Sequence, residues 1–506
     1  YGGLSWIGNN FVIRYKNIGN FEKTGQAWNG VTAGDNDLSL MDGTFGGKSG
    51  IMTYEDMYNA GLGRYNSLYE HLVYGDDGKF AKDENGNYIT ERYKMRDGSL
   101  WRKTTDNFWQ NHNILSAAWD INENWSMSGS LHYTHGYGYY NEFRYKNKLN
   151  KFGLTFTKSD GTKLKKTDFV RRKGLSQDAY GMVWNLSFKN RDWDFVSGLS
   201  LQQFSGNHFG HLTYVADEEL SAAIMKDGKY KYYDSDAKKF DGNVFAKAIY
   251  HINPMFDVFA DIQYRHVGYK TDGVNDKFYK KGTEYANQVL NIDQKYNFVN
   301  PKAGFSFHDN YHNAYVSVAL SHREPERNNF TDNGSYPAPV AESLTDYELG
   351  YSYIEPGMHF GLNLFYMGYK NQFVQTGAKS DIGEPLTTNI KDSYRMGMEM
   401  TIGCDLTSWL SIEANMAMSS NKIKDFDEVV EDWDNGTRTI HYDNSTLAFS
   451  PSLISNAFIN FHWKGLQAVL HSQNVSRQYL DNSKNEARSL PAYEVMNANV
   501  TYTLNL

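Results

Sequence analysis

The chain has 506 residues, with 51 Lys+Arg against 59 Asp+Glu, a formal net charge of −8, and 15% aromatic residues. With 44 Gly, only 9 Pro and a mean hydropathy of −0.64, it suits strands and tight turns and excludes a disordered or collagen-like chain. The acidic balance excludes a dedicated nucleic-acid binder. No run of about 18 apolar residues offers a helical membrane span, which leaves a membrane barrel open.

The elements follow one another in a regular rhythm. Residues 1–8 meet a short turn at Gly8-Asn9-Asn10, and a long polar stretch covers 29–106. Asn122-Glu123-Asn124 is the next short turn, followed by a Gly- and Tyr-rich strand through Leu131 to Tyr140 and a long stretch at 142–177. Asn190-Arg191-Asp192 precedes a loop at 210–239, and Asn253-Pro254-Met255 precedes a strand in which Val258, Ala260, Ile262 and Tyr264 alternate with Phe259, Asp261, Gln263 and Arg265. A loop at 272–296 and a turn from His308 to Asn313 lead into Val316, Val318 and Leu320, which alternate with Tyr315, Ser317 and Ala319. A loop at 324–342, a turn at Glu355-Pro356-Gly357 and a loop at 372–387 come next. Met396, Met398, Met400 and Ile402 then alternate with Arg395, Gly397, Glu399 and Thr401. The turn from Asp405 to Ser408, a loop at 425–443, the turn Trp463-Lys464-Gly465 and a loop at 480–489 precede the closing strand, Leu490 to Leu506.

The two-residue period predicts strands with one apolar and one polar face. Several run about 12–18 residues, longer than the usual soluble strand of about 5–6. Short turns alternate with long loops, as in an outer-membrane barrel with brief periplasmic turns and longer extracellular loops. The expected fold is all-β, a transmembrane antiparallel β-barrel of about 17 strands. Bacterial barrels have even strand counts, and the opening and closing pieces both descend toward the periplasm, so residues 1–506 are expected to be a partial barrel. The start at Tyr1, without initiator Met or leader, also suggests a processed chain or a fragment. Aromatic clusters at Tyr137, Tyr139 and Tyr140, and at Phe365, Tyr366 and Tyr369, suit interfacial girdles. The single cysteine, Cys404, forbids an internal disulfide and is expected to be an apolar filler.

Five motifs then point to a family. They are Leu131 to Tyr140; Asn300-Pro301-Lys302-Ala303-Gly304-Phe305; Ser321-His322-Arg323-Glu324-Pro325; Glu342 to Tyr351, containing Tyr347-Glu348-Leu349-Gly350-Tyr351; and Asn389 to Glu399. In this order they resemble the barrel strands of TonB-dependent outer-membrane receptors, particularly the type common in Bacteroidetes. The resemblance covers nearly the whole chain and is strongest over about 297–506. It implies about strands four to twenty of a 22-stranded barrel that in the family encloses a plug. The plug, the first strands and the last pair are not matched by this sequence. The implied function is capture of a scarce ligand at the cell surface and import to the periplasm with TonB-derived energy. The cargo class is a ferric siderophore or haem. Import of cobalamin, glycan or peptide, and a passive porin or adhesin barrel, are the alternatives. A surface lipoprotein that hands over the ligand is a further implied partner, besides the TonB complex and outer-membrane lipid.

Site candidates follow. Arg323 and Arg327, beside Glu324, would contact an anionic iron chelate or pair loop to barrel. His208 and His211 flank Phe209 at a strand–loop junction, where they would meet haem iron or remain surface histidines; His322 is a lone histidine at a strand end. Tyr139, Tyr140, Phe209 and Tyr336, with Tyr65, Tyr69, Tyr74, Trp101 and Trp433, offer flat surfaces for ligand contact or for loop packing. Glu348, Arg395 and Glu399 are expected on the polar interior, most simply in a salt-bridge lattice. Asp76, Asp77, Asp83 and Glu84 with Gly78 and Gly86 hint at calcium but fail the EF-hand pattern. The acidic run Asp425, Asp427, Glu428, Glu431, Asp432 and Asp434 is expected to be a solvated loop. No cofactor or metal site is expected. There is no G-x-S-x-G, Walker A or H-E-x-x-H pattern, so no enzyme is expected.

Overall fold

A computed structural model of the chain describes residues 1–25, 68–84, 88–333, 336–379, 385–432, 436–486 and 489–504. Tyr65, Gly86, Trp433, Asp434 and Leu506 lie outside them. The main sheet comprises β1 (Gly2–Ile7), β2 (Phe11–Gly25), β3 (Thr105–Asp120), β4 (Trp125–Lys148), β5 (Lys166–Lys189), β6 (Trp193–Val215), β7 (Tyr230–Asn253), β8 (Phe256–Lys281) and β9 (Glu284–His308). It continues with β10 (His312–Arg323), β11 (Glu342–Glu355), β12 (Met358–Lys379), β13 (Pro385–Thr407), β14 (Leu410–Asp432), β15 (Gly436–Thr446), β16 (Leu453–Trp463), β17 (Leu466–Val475) and β18 (Tyr493–Tyr502). Two short helices, α1 (Glu218–Ile224) and α2 (Arg327–Thr331), sit in the loops.

The strands form an antiparallel meander in which consecutive strands pair. β15 and β16 are two pieces of one descending strand. β15 pairs with the upper half of β14, from Lys422 to Asp432, and β16 with the lower half, from Leu410 to Met418. The 18 strands therefore fill 17 positions, as expected. β1 pairs only with β2 and β18 only with β17 among the described residues.

All eight expected short turns join neighbouring strands. Three expected long loops are largely strand. Residues 272–296 continue β8 and β9 to a tight turn after Lys281, 372–379 and 385–387 continue β12 and β13, and 425–432 and 436–443 continue β14 and β15.

The barrel is inside-out compared with a soluble protein. Val316 and Val318 are 51% and 41% exposed while Ser317 between them is 6% exposed. Tyr347 and Leu349 are likewise exposed, as are Ile262 and Tyr264, and Met396 and Ile402. Water would penalise this apolar surface, whereas lipid covers it. Near the short turns, the outward pairs Trp125–Phe188, Trp193–Tyr250 and Trp409–Phe461 form one aromatic girdle, with ring centroids 4.7, 4.7 and 5.6 Å apart. At the other boundary, outward tyrosines reach a polar neighbour. The hydroxyls of Tyr15, Tyr133 and Tyr264 donate to Asn113, Asp178 and Asn297 at 2.7–2.8 Å. A charge between the two boundaries should be expensive. Leu349→Arg is expected to cost about 2–4 kcal/mol by urea unfolding in lipid, whereas the inward neighbour Glu348→Gln should be near neutral.

The apolar cores lie in the extracellular loops. Leu149, Phe152, Leu154, Phe169, Leu212, Val215, Leu220, Tyr232 and Tyr233 form one cluster, which ties the connections on either side of β5 and β6 together. Asp217 caps α1 by accepting from the Leu220 N–H at 3.0 Å and pairs with Lys158 at 2.6 Å. Tyr93, Trp101, Phe143 and Val170 form a second core.

Candidate ligand site on the lumenal wall

Strand parity decides which side chains can meet. Tyr139 and Tyr140 are adjacent on β4 and therefore project from opposite faces. Tyr139 lies on the outer face under the Arg172 guanidinium, 3.9 Å from its ring centre, and 6.0 Å from the Trp109 ring. Phe209 and His211 share that outer face, with ring centroids 5.1 Å apart, and Phe209 stacks on Tyr137 at 6.4 Å. His208 projects from the other face of β6, into the lumen. His208 and His211 are thus strand residues on opposite faces of one wall and cannot share one iron atom. The odd spacing of three within an extended strand already carried that information.

The lumenal wall gathers a different set. Lys173 pairs with Asp276 at 2.7 Å, and Tyr140 lies within their electrostatic reach. Above them, the segment after β10 turns inward. Pro301 accounts for part of this. β9 pairs with β10 only from Lys302–Ala319 to His308–Asn313, so the ladder stops at the residue that lacks an N–H. The last residues of β10 pair with β11 alone, and the chain beyond them turns onto the inner wall. Glu324, only 6% exposed, anchors the turn. It accepts from Arg265 at 2.8 and 3.0 Å and from Lys239 at 2.7 Å, and Arg265 also pairs with Asp241. Burial pushes the Glu324 carboxyl up, but Lys239 and Arg265 together hold it below the usual carboxylate range.

α2 follows at once. The Glu326 N–H donates to the Asn329 side chain at 2.8 Å, and Asn329 donates to Thr387 Oγ1 at 2.7 Å. Lys277 reaches Asp332 at 2.6 Å and the Thr331 carbonyl at 2.7 Å. The helix is thereby held between β8 and β13. Arg327 at its start makes no ion pair among the described residues, and its Nε is buried without a hydrogen-bond acceptor. It lies close enough to His208 and Tyr269 to act on both electrostatically, and Lys173 also acts on His208. A guanidinium with no ion-pair partner among the described residues thus lies beside an imidazole and the Lys173–Asp276 pair on the lumenal wall. Arg323 is different: it pairs with Glu342, its cross-strand neighbour on β11, at 3.3 Å and lies over the Phe373 ring. His322 stacks on Phe298 and bonds Asn300 at 2.9 Å. Tyr336 is half-buried, and its backbone N–H and carbonyl are both bonded to Asn333.

The expected salt-bridge lattice of Glu348, Arg395 and Glu399 is not formed. All three face the lumen and line one recess with Asn363, yet no ion pair joins them. Arg395 instead donates to Asn421 at 3.4 Å and Ser450 at 3.1 Å, because the broken strand between β15 and β16 brings Ser450 within its reach. The glycine next to Glu348 has a steric reason. The Tyr315 ring lies across Gly350, where a Cβ would come within 2.0 Å of it, and the Tyr315 hydroxyl donates to Asn363 at 3.1 Å.

The loop aromatics divide. Trp101 donates to Thr104 at 2.6 Å and Tyr69 to the Thr104 carbonyl at 2.9 Å, so both serve loop packing, whereas Tyr74 is 64% exposed. Asp77 Oδ1 caps the Lys79 N–H in a tight turn, a structural use for a residue of the calcium hint. Sequence reasoning missed Lys173, Lys239, Asp241, Arg265 and Asp276. A charge at an in-strand position opposite an apolar outer residue was the available signal, since lipid-facing charge is costly.

An apolar outer band between an aromatic and a polar boundary, with a charged inner wall, is the architecture of an outer-membrane β-barrel. The chain matches the family model for the TonB dependent receptor-like β-barrel over residues 28–506 and belongs to that family. Among solved structures it is similar to the ferric-catecholate import receptor Fiu from E. coli K12, at 13% identity and a TM-score of 0.59, covering 98% of this chain and 66% of that one. It is also similar to the ferric yersiniabactin uptake receptor FyuA from Yersinia pestis, at 12% identity and a TM-score of 0.56, covering 97% and 60%. The siderophore receptor PiuA from Acinetobacter baumannii gives 12% identity and a TM-score of 0.57, covering 98% and 66%. The chain thus spans less than two thirds of these receptors' lengths in two cases at 66% and in one at 60%. No curated protein sequence matches it.

Proposed function

We propose that residues 1–506 form the greater part of a TonB-dependent importer that takes up an anionic ferric chelate of the siderophore type. The observation that carries this reading is Arg327, a guanidinium that pairs with no carboxylate among the described residues, held on α2 beside lumenal His208 and Lys173. Catecholate, hydroxamate and carboxylate chelates present the oxygen anions that such a group recognises. The single-neighbour edges at β1 and β18 support a larger barrel that continues past both. The carboxylates of Glu348 and Glu399 face the lumen and pair with no cation among the described residues, which suits contact with basic side chains of a plug. The test is uptake of radioactive iron as a ferric catecholate by cells carrying the natural full-length gene, with and without a functional TonB. Uptake that persists unchanged without TonB, or no uptake of any ferric chelate, overturns the reading.

A further inference from the structure

The ribbon of β14 and β15 carries a cluster that the transport reading does not use. Its two faces differ. Phe426 and Tyr442 stack at 6.2 Å, the Tyr442 hydroxyl donates to Glu428 at 2.9 Å, and Phe426 packs on Val374, Ile390, Ile423 and Leu447. The opposite face is open to solvent and holds Asp425, Asp427, His441 and Asp443 on adjacent rungs, with Asp427 opposite His441 and Asp425 opposite Asp443. No Lys or Arg among the described residues pairs with these three carboxylates.

The imidazole of His441 is held from both sides. Its Nδ1 lies 2.8 Å from Asp427 and its Nε2 lies 3.1 Å from Asp443. A neutral imidazole has one N–H, so whichever tautomer forms, one of these approaches sets lone pair against lone pair. Either a second proton or a cation must resolve it. The geometry fits a cation. Ligand atoms of Asp425, His441 and Asp443 all lie within 4.8 Å of one another, and Asp427 on the far ring nitrogen supplies the carboxylate–histidine–metal arrangement that orients a ligating imidazole.

We propose that Asp425, His441 and Asp443 bind a divalent transition-metal ion on the extracellular ribbon, with Asp427 orienting the imidazole. One imidazole and two carboxylates suit a borderline ion such as zinc or nickel, at ligand distances of about 2.0–2.2 Å. A bound ion would tie β15 to β14 on the exposed face, opposite the apolar contacts that already hold the inner one. Metal and proton compete for the same nitrogen, so binding strengthens as pH rises.

The test is calorimetric titration of Zn2+ into the full chain in detergent micelles. The expected result is one site at neutral pH, weakened at about pH 5 and weakened at least about tenfold by His441→Ala, by Asp443→Asn and by Asp427→Asn. His135→Ala removes another exposed histidine beside a single aspartate and should leave binding unchanged. Wild-type protein that binds no Zn2+, or His441→Ala protein that binds it as tightly as wild type, overturns the proposal. Equal loss in His135→Ala would mean that the signal is nonspecific and would overturn it as well.

Discussion

Glu324→Ala is expected to loosen the start of the segment between β10 and β11 from the barrel wall, leaving α2 tethered through Lys277 and Thr387, and to weaken chelate binding with it. The carboxylate is the one group through which that segment meets both Lys239 and Arg265. Removing one partner of a buried ion pair costs about 3–5 kcal/mol in general. Arg265 keeps Asp241 here, and Lys239 is partly exposed, so about 2–3 kcal/mol is expected. The loss should appear as faster proteolytic nicking within 324–341 while the barrel strands stay protected. Acid should mimic it. The folded-state pKa of Glu324 is depressed, so its contribution is present above the ordinary carboxylate value of 4.5 and is lost as pH falls through the lower folded value. Nicking of wild-type protein should therefore rise below about pH 4.5, and that of Glu324→Gln protein should already be raised at neutral pH. Equal nicking of wild type and both variants at neutral pH would show that Glu324 does not anchor the segment.

Arg327→Gln is expected to have the largest effect on the ligand and little on the fold. Among the described residues the guanidinium makes no ion pair that its removal would break, and Nε is buried without an acceptor, so stability should hold or rise slightly. A hydrogen bond to a charged group contributes about 1.5–3 kcal/mol, so the Kd for a ferric catecholate should rise roughly 10- to 100-fold. Arg327→Lys should recover part of it, because charge remains while the planar fork is lost. Fluorescence quenching by the iron chelate measures both. An unchanged Kd in Arg327→Gln, with normal unfolding, would remove Arg327 from the site.

Much of the architecture was legible because lipid imposes a strong pattern. Val316 and Val318 around Ser317, or Tyr347 and Leu349 around Glu348, reveal both strand and face. The eight turns announced themselves through Gly, Asn, Asp and Pro. The pattern failed where the strands leave lipid. Over 272–296 and 425–443 the backbone ladder continues, but both faces meet water or loops, so the apolar alternation that marks a strand is gone. The site suffered from the same blindness. His208 and His211 looked like neighbours until the extended backbone placed them on opposite faces, and the partners of Glu324 come from β7 and β8, 85 and 59 residues away in sequence. Arg327 was named from the sequence as a basic residue near a strand end, but that no carboxylate among the described residues pairs with it is visible only in three dimensions.

The stop in the β9–β10 ladder at Pro301 has a mechanical consequence. Above that point β8 and β9 stand as a two-stranded arm joined to the rest of the wall on one side only. Such an arm bends without tearing any rung, so strain delivered to α2 through Lys277 would be absorbed as compliance at this seam rather than transmitted around the hoop of the barrel. Amides of β9 above Pro301 should accordingly exchange with deuterium sooner than those below it, although both belong to one continuous strand.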